Sequence, residues 1–150
     1  MNKTFQNQLK QFFHDVTAMG GLAASLLLIL LFISSSLLLP LIAGSVITAV
    51  MVILIRLFYF KNRPKRETYN NLVEKIDASS FPSLHTARIV FLAVLFSVHF
   101  GSQYLTVLCI IVALLVSYSR IYIQKHDWID VAGGIAVGVA TSVVIIWLFF

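Results

Sequence analysis

Between Val16 and Ile55 the chain has no Asp, Glu, Lys or Arg, and the same holds for Ile89–Ser119 and Val131–Phe150. Charged residues make up 11% of the 150 residues, against roughly 25% in a soluble domain, while 59% are hydrophobic. This excludes an ordinary water-soluble domain. Cysteine is nearly absent as well. Cys109 stands alone in an apolar run, so no disulfide within the chain is available, and it reads as a small buried hydrophobe. Acidic residues are scarce: six Asp and Glu face eleven Lys and Arg, for a net charge of +5. The surplus forms no basic stripe on a soluble face, which excludes nucleic acid as a partner. Nothing resembles a linker, so residues 1–150 read as a single membrane-embedded domain.

The charges that are present fall into three islands: the N-terminus, Arg56–Arg88 and Arg120–Asp130. Long apolar runs between short charged islands are the pattern of a polytopic membrane protein. A helix rises ~1.5 Å per residue and the hydrocarbon core is ~30 Å thick, so Val16–Ile55 is about two crossings long. Its turn is expected from Ser34-Ser35-Ser36 through Pro40, between spans near Gly21–Ser35 and Leu41–Phe60. A third span runs to Phe100, a fourth starts near Leu105 after His99–Gln103, and Asp130–Phe150 is a fifth. Before the first span, Phe5, Leu9, Phe12, Phe13 and Val16 recur at helical spacing, which predicts an interfacial amphipathic helix over residues 1–17. A cleaved signal peptide fits less well, because the following apolar run is too long. Asn70–Lys75 carries a fainter signal for a short surface helix. The fold class is therefore all-α: a transmembrane helical bundle of about five spans plus the interfacial helix. Five spans joined this way bring all three islands to one side of the membrane. Gly134 and Gly138 form a small-xxx-small pair extended by Ser142, for packing inside the bundle or for a homo-oligomer through that face.

Chemistry-bearing residues cluster where spans meet the charged side. Arg56, Arg63 and Pro64 end the second span, Pro82, Ser83, Leu84 and His85 start the third, and Ser119, Arg120, His126 and Asp130 join the fourth to the fifth. Guanidinium forks suit a group with several equatorial oxygens. Pro82 at a helix start leaves the backbone N–H groups of Ser83, Leu84 and His85 facing outward, toward a bound anion. His126 and Asp130 are four apart and would share a helix face, with the carboxylate fixing the tautomer and the other ring nitrogen free to attack. His85 is a second proton-handling group. Single elements have plainer explanations: Arg56 as a headgroup anchor, His14 and His99 as ordinary polar residues, and Lys61, Lys65 and Arg66 as a headgroup-binding cluster. Arg88, one turn into the third span, faces either the site or an acid such as Glu67 or Glu74. No Cys/His spacing or carboxylate cluster points to a metal, and no cofactor is expected.

In order and spacing the motifs resemble the type 2 phosphatidic acid phosphatase superfamily, with its Lys-x6-Arg-Pro, Pro-Ser-Gly-His and Ser-Arg-x5-His-x3-Asp patterns. The third is complete here. The first has Arg56 in place of Lys, and the second has Leu84 in place of Gly. The matched stretch, residues 56–130, is the expected catalytic core. The resemblance implies a metal-independent membrane lipid phosphatase with His126 as nucleophile, Asp130 as its orienting partner and His85 as proton donor to the leaving oxygen. Arg56, Arg63, Ser83, Leu84 and Arg120 would hold phosphate. Expected substrates are a polyprenyl phosphate or diphosphate, phosphatidylglycerophosphate or phosphatidic acid. The alternatives are a lipid phosphotransferase of the same family and a noncatalytic lipid-binding subunit. The family usually has six spans, so the interfacial helix stands where one would be. The expected location is the cell membrane, with the site at the membrane surface. The positive-inside rule favours the cytoplasmic face.

Overall fold

In lipid the backbone polar groups must be satisfied within the protein, by helices or by a closed barrel, and this chain uses helices: all regular structure among the described residues is helical. The computed structural model describes residues 3–65 and 68–150, the Lys3 side chain excepted. Met1, Asn2, Arg66 and Glu67 lie outside the described residues, and with them the roles expected of Arg66 as a headgroup contact and of Glu67 as a partner for Arg88. The helices are α1 (Lys3–Ala18), α2 (Leu22–Leu31), α3 (Leu38–Phe58), α4 (Leu72–Ala78), α5 (Leu84–Phe100), α6 (Gln103–Tyr122) and α7 (Trp128–Phe149).

By length and composition α3, α6 and α7 are each able to cross a membrane. The pair α1–α2 reaches that length together but bends by 49° at its break. At 17 residues α5 is apolar but spans only about 25 Å. These criteria give three crossings, or four with the bent pair, against the five read from the sequence. The second span also starts earlier than expected. Pro40 is the third residue of α3, where a missing N–H costs nothing because first-turn donors have no intrahelical acceptor. The turn therefore closes before Pro40, with the Leu38 N–H donating to Ser35 O at 3.2 Å.

In lipid, burying apolar surface between helices brings no hydrophobic gain, so close approach must supply the attraction. Glycines make that approach. A Cβ on Gly44 of α3 would lie 2.0 Å from the Phe91 ring, and Phe91 is 1% exposed. On α7, a Cβ on Gly134 would meet Ser83 O at 2.6 Å, and one on Gly138 would meet Ala87 O at 2.6 Å. Of the two uses left open for the Gly134/Gly138 face, the structure therefore employs it inside the chain, against α5. The helix α5 sits centrally, packed on α6 and α7 and also on α3. Its N-terminal end carries the candidate site residues Ser83, Leu84 and His85.

Candidate active site

Two loops and three helix ends build the site. The α6–α7 loop turns at Gln124, whose φ of 58° is left-handed, and then folds back on α6: the N–H groups of Lys125 and His126 donate to Arg120 O at 3.1 and 3.2 Å. This curl returns His126 to the Arg120 side chain. His126 is 2% exposed, and its Nε2 lies 3.5 Å from Arg120 Nη2. A guanidinium only donates, so Nε2 is the acceptor and the ring proton sits on Nδ1. Nδ1 faces Asp130 Oδ2 at 3.7 Å, an electrostatic contact longer than a hydrogen bond.

The His126/Asp130 pair does not share a helix face as expected. His126 lies in the loop, Asp127 is the N-cap, and Asp130 belongs to the first turn of α7. A capping box sets the geometry instead. Asp127 Oδ1 accepts from the N–H groups of Ile129 and Asp130, both at 3.0 Å, and Asp130 Oδ2 accepts from the Asp127 N–H at 3.0 Å. Asp130 is fully buried, and its other oxygen takes a 2.8 Å bond from Lys61 Nζ, which also reaches Asp127 Oδ2 at 2.6 Å. Lys61 is thus part of the site, not of a headgroup cluster. Burial would lower its pKa, but the hydrogen bonds to Asp127 and Asp130 outweigh that and raise it. For His126, burial lowers the pKa; Asp130 opposes the shift, Arg120 and Arg63 add to it, and the net direction is down.

The α5 end contributes Ser83 as N-cap, fully buried. Its N–H does not face outward as expected but donates to Asp130 O at 3.0 Å, which ties α5 to α7. Its Oγ accepts from Thr86 Oγ1 at 3.1 Å, so the Ser83 hydroxyl proton remains for another acceptor. Leu84 turns its side chain into the packing around Val52, Ala87 and Val137. The departure from Gly is absorbed there. His85 backs onto Gly20 and Gly21, and Arg120, Arg88, His126 and Arg56 are its electrostatic neighbours.

Arg56 and Arg63 are buried and held by backbone carbonyls. Arg56 donates to Pro82 O at 3.0 Å and Ile76 O at 3.3 Å, and Arg63 donates to Asp77 O. Arg56 Nε and Arg88 Nε are buried without a hydrogen-bond partner among the described residues. Glu74 is spent at the start of α4, on Asn70 N at 2.7 Å and Asn71 Nδ2 at 2.9 Å. The Arg88 charge acts on His85; of the two acids expected as its alternative partners, Glu74 is engaged as above and Glu67 lies outside the described residues.

Residues 35–150 match the PAP2 superfamily. The chain belongs to that family. Among curated proteins it is 34% identical over 110 residues to the undecaprenyl-diphosphatase BcrC of Bacillus subtilis, covering 73% of this chain and 52% of that one. The chain thus spans about half the length of that relative. Among solved structures it resembles Aquifex aeolicus LpxE, with a TM-score of 0.79 at 25% identity over 93% of this chain and 86% of that one. It also shares the fold of a transmembrane PAP2-type phosphatidylglycerolphosphate phosphatase from Bacillus subtilis, with a TM-score of 0.76 at 19% identity over 94% of this chain and 76% of that one.

Three contributors to this PAP2 site were missed in the sequence. Asp127 had a signal, since Asp-x-x-Asp before an apolar run is close to a capping box. Lys61 had one only in its place between two motif arginines. Thr17 had none. It lies outside the matched residues, yet Arg120 Nη1 donates to Thr17 Oγ1 at 3.1 Å, and Ser119 Oγ lies 2.9 Å from the same atom. Ser119 Oγ also lies 2.6 Å from Val116 O, which takes its single proton, so the Thr17 proton is the one left for Ser119. The bend between α1 and α2 thereby holds a motif arginine.

Proposed function

We propose that this PAP2 protein is a lipid phosphate phosphatase that works through a phosphohistidine on His126. The observation that carries the reading is the buried His126, with Nε2 toward Arg120 and Nδ1 toward Asp130. In the first step the Nε2 lone pair attacks phosphorus and the bond from phosphorus to the lipid oxygen breaks. His85 delivers a proton to that leaving oxygen, and Asp130 stabilises the Nδ1–H side of the ring as charge develops. In the second step His85 takes a proton from water, water attacks the phosphohistidine, and inorganic phosphate leaves with His126 restored. Arg56, Arg63 and Arg120, the Ser83 hydroxyl and the Leu84 N–H bind the phosphate oxygens. Phosphoryl transfer demands positioning and charge stabilisation, and three guanidinium groups supply both without calling on a metal.

The substrate is a membrane-embedded phosphomonoester or diphosphate. A polyprenyl diphosphate ranks first, because the 34% identical relative is an undecaprenyl-diphosphatase. Phosphatidylglycerophosphate and phosphatidic acid follow. We place α5 in the membrane as a fifth crossing, because it packs along α6 and α7, and we place the site on the cytoplasmic face. The test is phosphate release from these substrates by purified protein in EDTA, with and without vanadate, a mimic of the pentacoordinate state. Turnover in EDTA with inhibition by vanadate is expected. Activity lost on chelation and restored by magnesium would contradict the reading.

A further inference from the structure

Beside the motif loops, α1 and the α6–α7 loop enclose a groove of about 630 Å³. This lies within the ~300–1,000 Å³ range of small-ligand sites. Its lining includes Lys10, Lys65, Lys125 and His14, with the amides of Asn7 and Gln124, and no carboxylate among the described residues. Two nearby acids among the described residues have other partners: Asp15 accepts from Gln11 Nε2 at 2.9 Å, and Asp127 is held by Lys61. Lysines and amides around a concave surface offer donors to a ligand rich in acceptor oxygens and carrying negative charge.

The walls of the groove are fixed. The Lys65 N–H donates to Gln124 O at 3.3 Å, which joins the loop after α3 to the loop after α6. On the other side, the Phe13 ring lies 4.3 Å from that of Tyr122, which clamps α1 to α6. Lys10, His14 and Thr17 are spaced i, i+4, i+7, so they form one stripe of α1, and its last member holds Arg120. The opposite face of α1 leaves Phe5 and Phe12 about half exposed, at 53% and 50%. An amphipathic helix of this kind seats its apolar face at the headgroup boundary, which puts Lys10 and His14 at the level of lipid phosphates.

We propose that this groove is a second anion site that binds the phosphate oxygens of an anionic bilayer lipid, separately from the substrate phosphate held by Arg56, Arg63 and Arg120. Its occupant ties α1 to the α6–α7 loop, and so braces both Thr17 and His126. The site does not require His126 to be a nucleophile, and its test reads binding instead of turnover.

The test is thermal unfolding of the protein in lipid nanodiscs of three kinds: phosphatidylcholine alone, phosphatidylcholine with phosphatidylglycerol, and phosphatidylcholine with inorganic phosphate in the buffer. The midpoint should rise by a few degrees with phosphatidylglycerol. Lys10→Gln combined with Lys65→Gln and Lys125→Gln should lose most of that rise while matching the parent protein in phosphatidylcholine alone. If the triple variant unfolds early, the single Lys10→Gln, on an exposed position of α1, carries the same comparison with a partial loss. A rise with inorganic phosphate alone, lost in the same variants, supports the site with free phosphate as its source. No rise in either arm, or a rise undiminished in the variants, overturns it.

Discussion

A neutral imidazole between a guanidinium and a carboxylate has one tautomer that suits both neighbours. His126 has that arrangement, with Arg120 Nη2 at 3.5 Å from Nε2 and Asp130 Oδ2 at 3.7 Å from Nδ1. Burial, with Arg120 and Arg63, outweighs Asp130 and holds the His126 pKa below the ordinary 6.5. A nucleophile must be neutral, so a lowered pKa extends activity toward acid, and the rate falls only as pH drops through the lowered value. The acid limb of kcat/KM assigned to His126 should therefore lie below 6.5, read from a pH profile in detergent. A limb above that value would show that the imidazolium is stabilised in the site. Asp130→Asn removes the group that raises this pKa and that steadies the ring proton. It should cost roughly 10²–10⁴ in kcat, with the limb moving further down. Lys61 shows how far one residue can be misread from sequence. Its position among surface charges predicts a headgroup contact, but two acids far along the chain draw it inward to Asp127 and Asp130.

At the scale of elements, the bend between α1 and α2 has a chemical consequence. Thr17 sits in the last turn of α1 and accepts a hydrogen bond from Arg120, 103 residues away in the chain. Thr17→Val keeps the shape of the side chain and removes the hydroxyl, which leaves the buried guanidinium short of an acceptor, a loss of about 1–3 kcal/mol. We expect kcat/KM to fall about 10-fold or more, mainly through KM, because the proposed role of Arg120 is to bind phosphate in both ground and transition states. Thr17→Ser should restore it, and a purely structural role would leave KM unmoved once the protein is folded. The helix ends were largely legible, because charge, Gly101 and the Ser34–Ser36 run mark them. The bend and its contact were not. Val16–Ile55 has no charge to show where lipid begins, and no local pattern connects Thr17 to Arg120. The His126/Asp130 pairing was legible as a spacing, but its cause, a capping box led by Asp127, required the structure.

At the scale of the whole molecule, the proposed orientation rests on charge that the site does not use. Setting Arg56, Lys61, Arg63, Arg88 and Arg120 aside leaves six of eleven Lys and Arg, all in the three charged islands. With the five crossings proposed above, these islands share one side, and the positive-inside rule is the ground for proposing that side as cytoplasmic. With Cys109 removed, single cysteines at Asn71 and Gln103, both exposed, report the two sides in intact cells. Labelling of Gln103 by an impermeant reagent with Asn71 protected is expected, and the opposite pattern would reverse the orientation. The proposed chemistry rests on one atom, Nε2 of His126. Turnover of a labelled lipid phosphate, quenched in alkali and followed by peptide mapping, tests it directly. The label should appear on His126 and be absent in a folded His126→Ala protein that releases no phosphate. Full-rate release by that variant, or label on another residue, would contradict the mechanism.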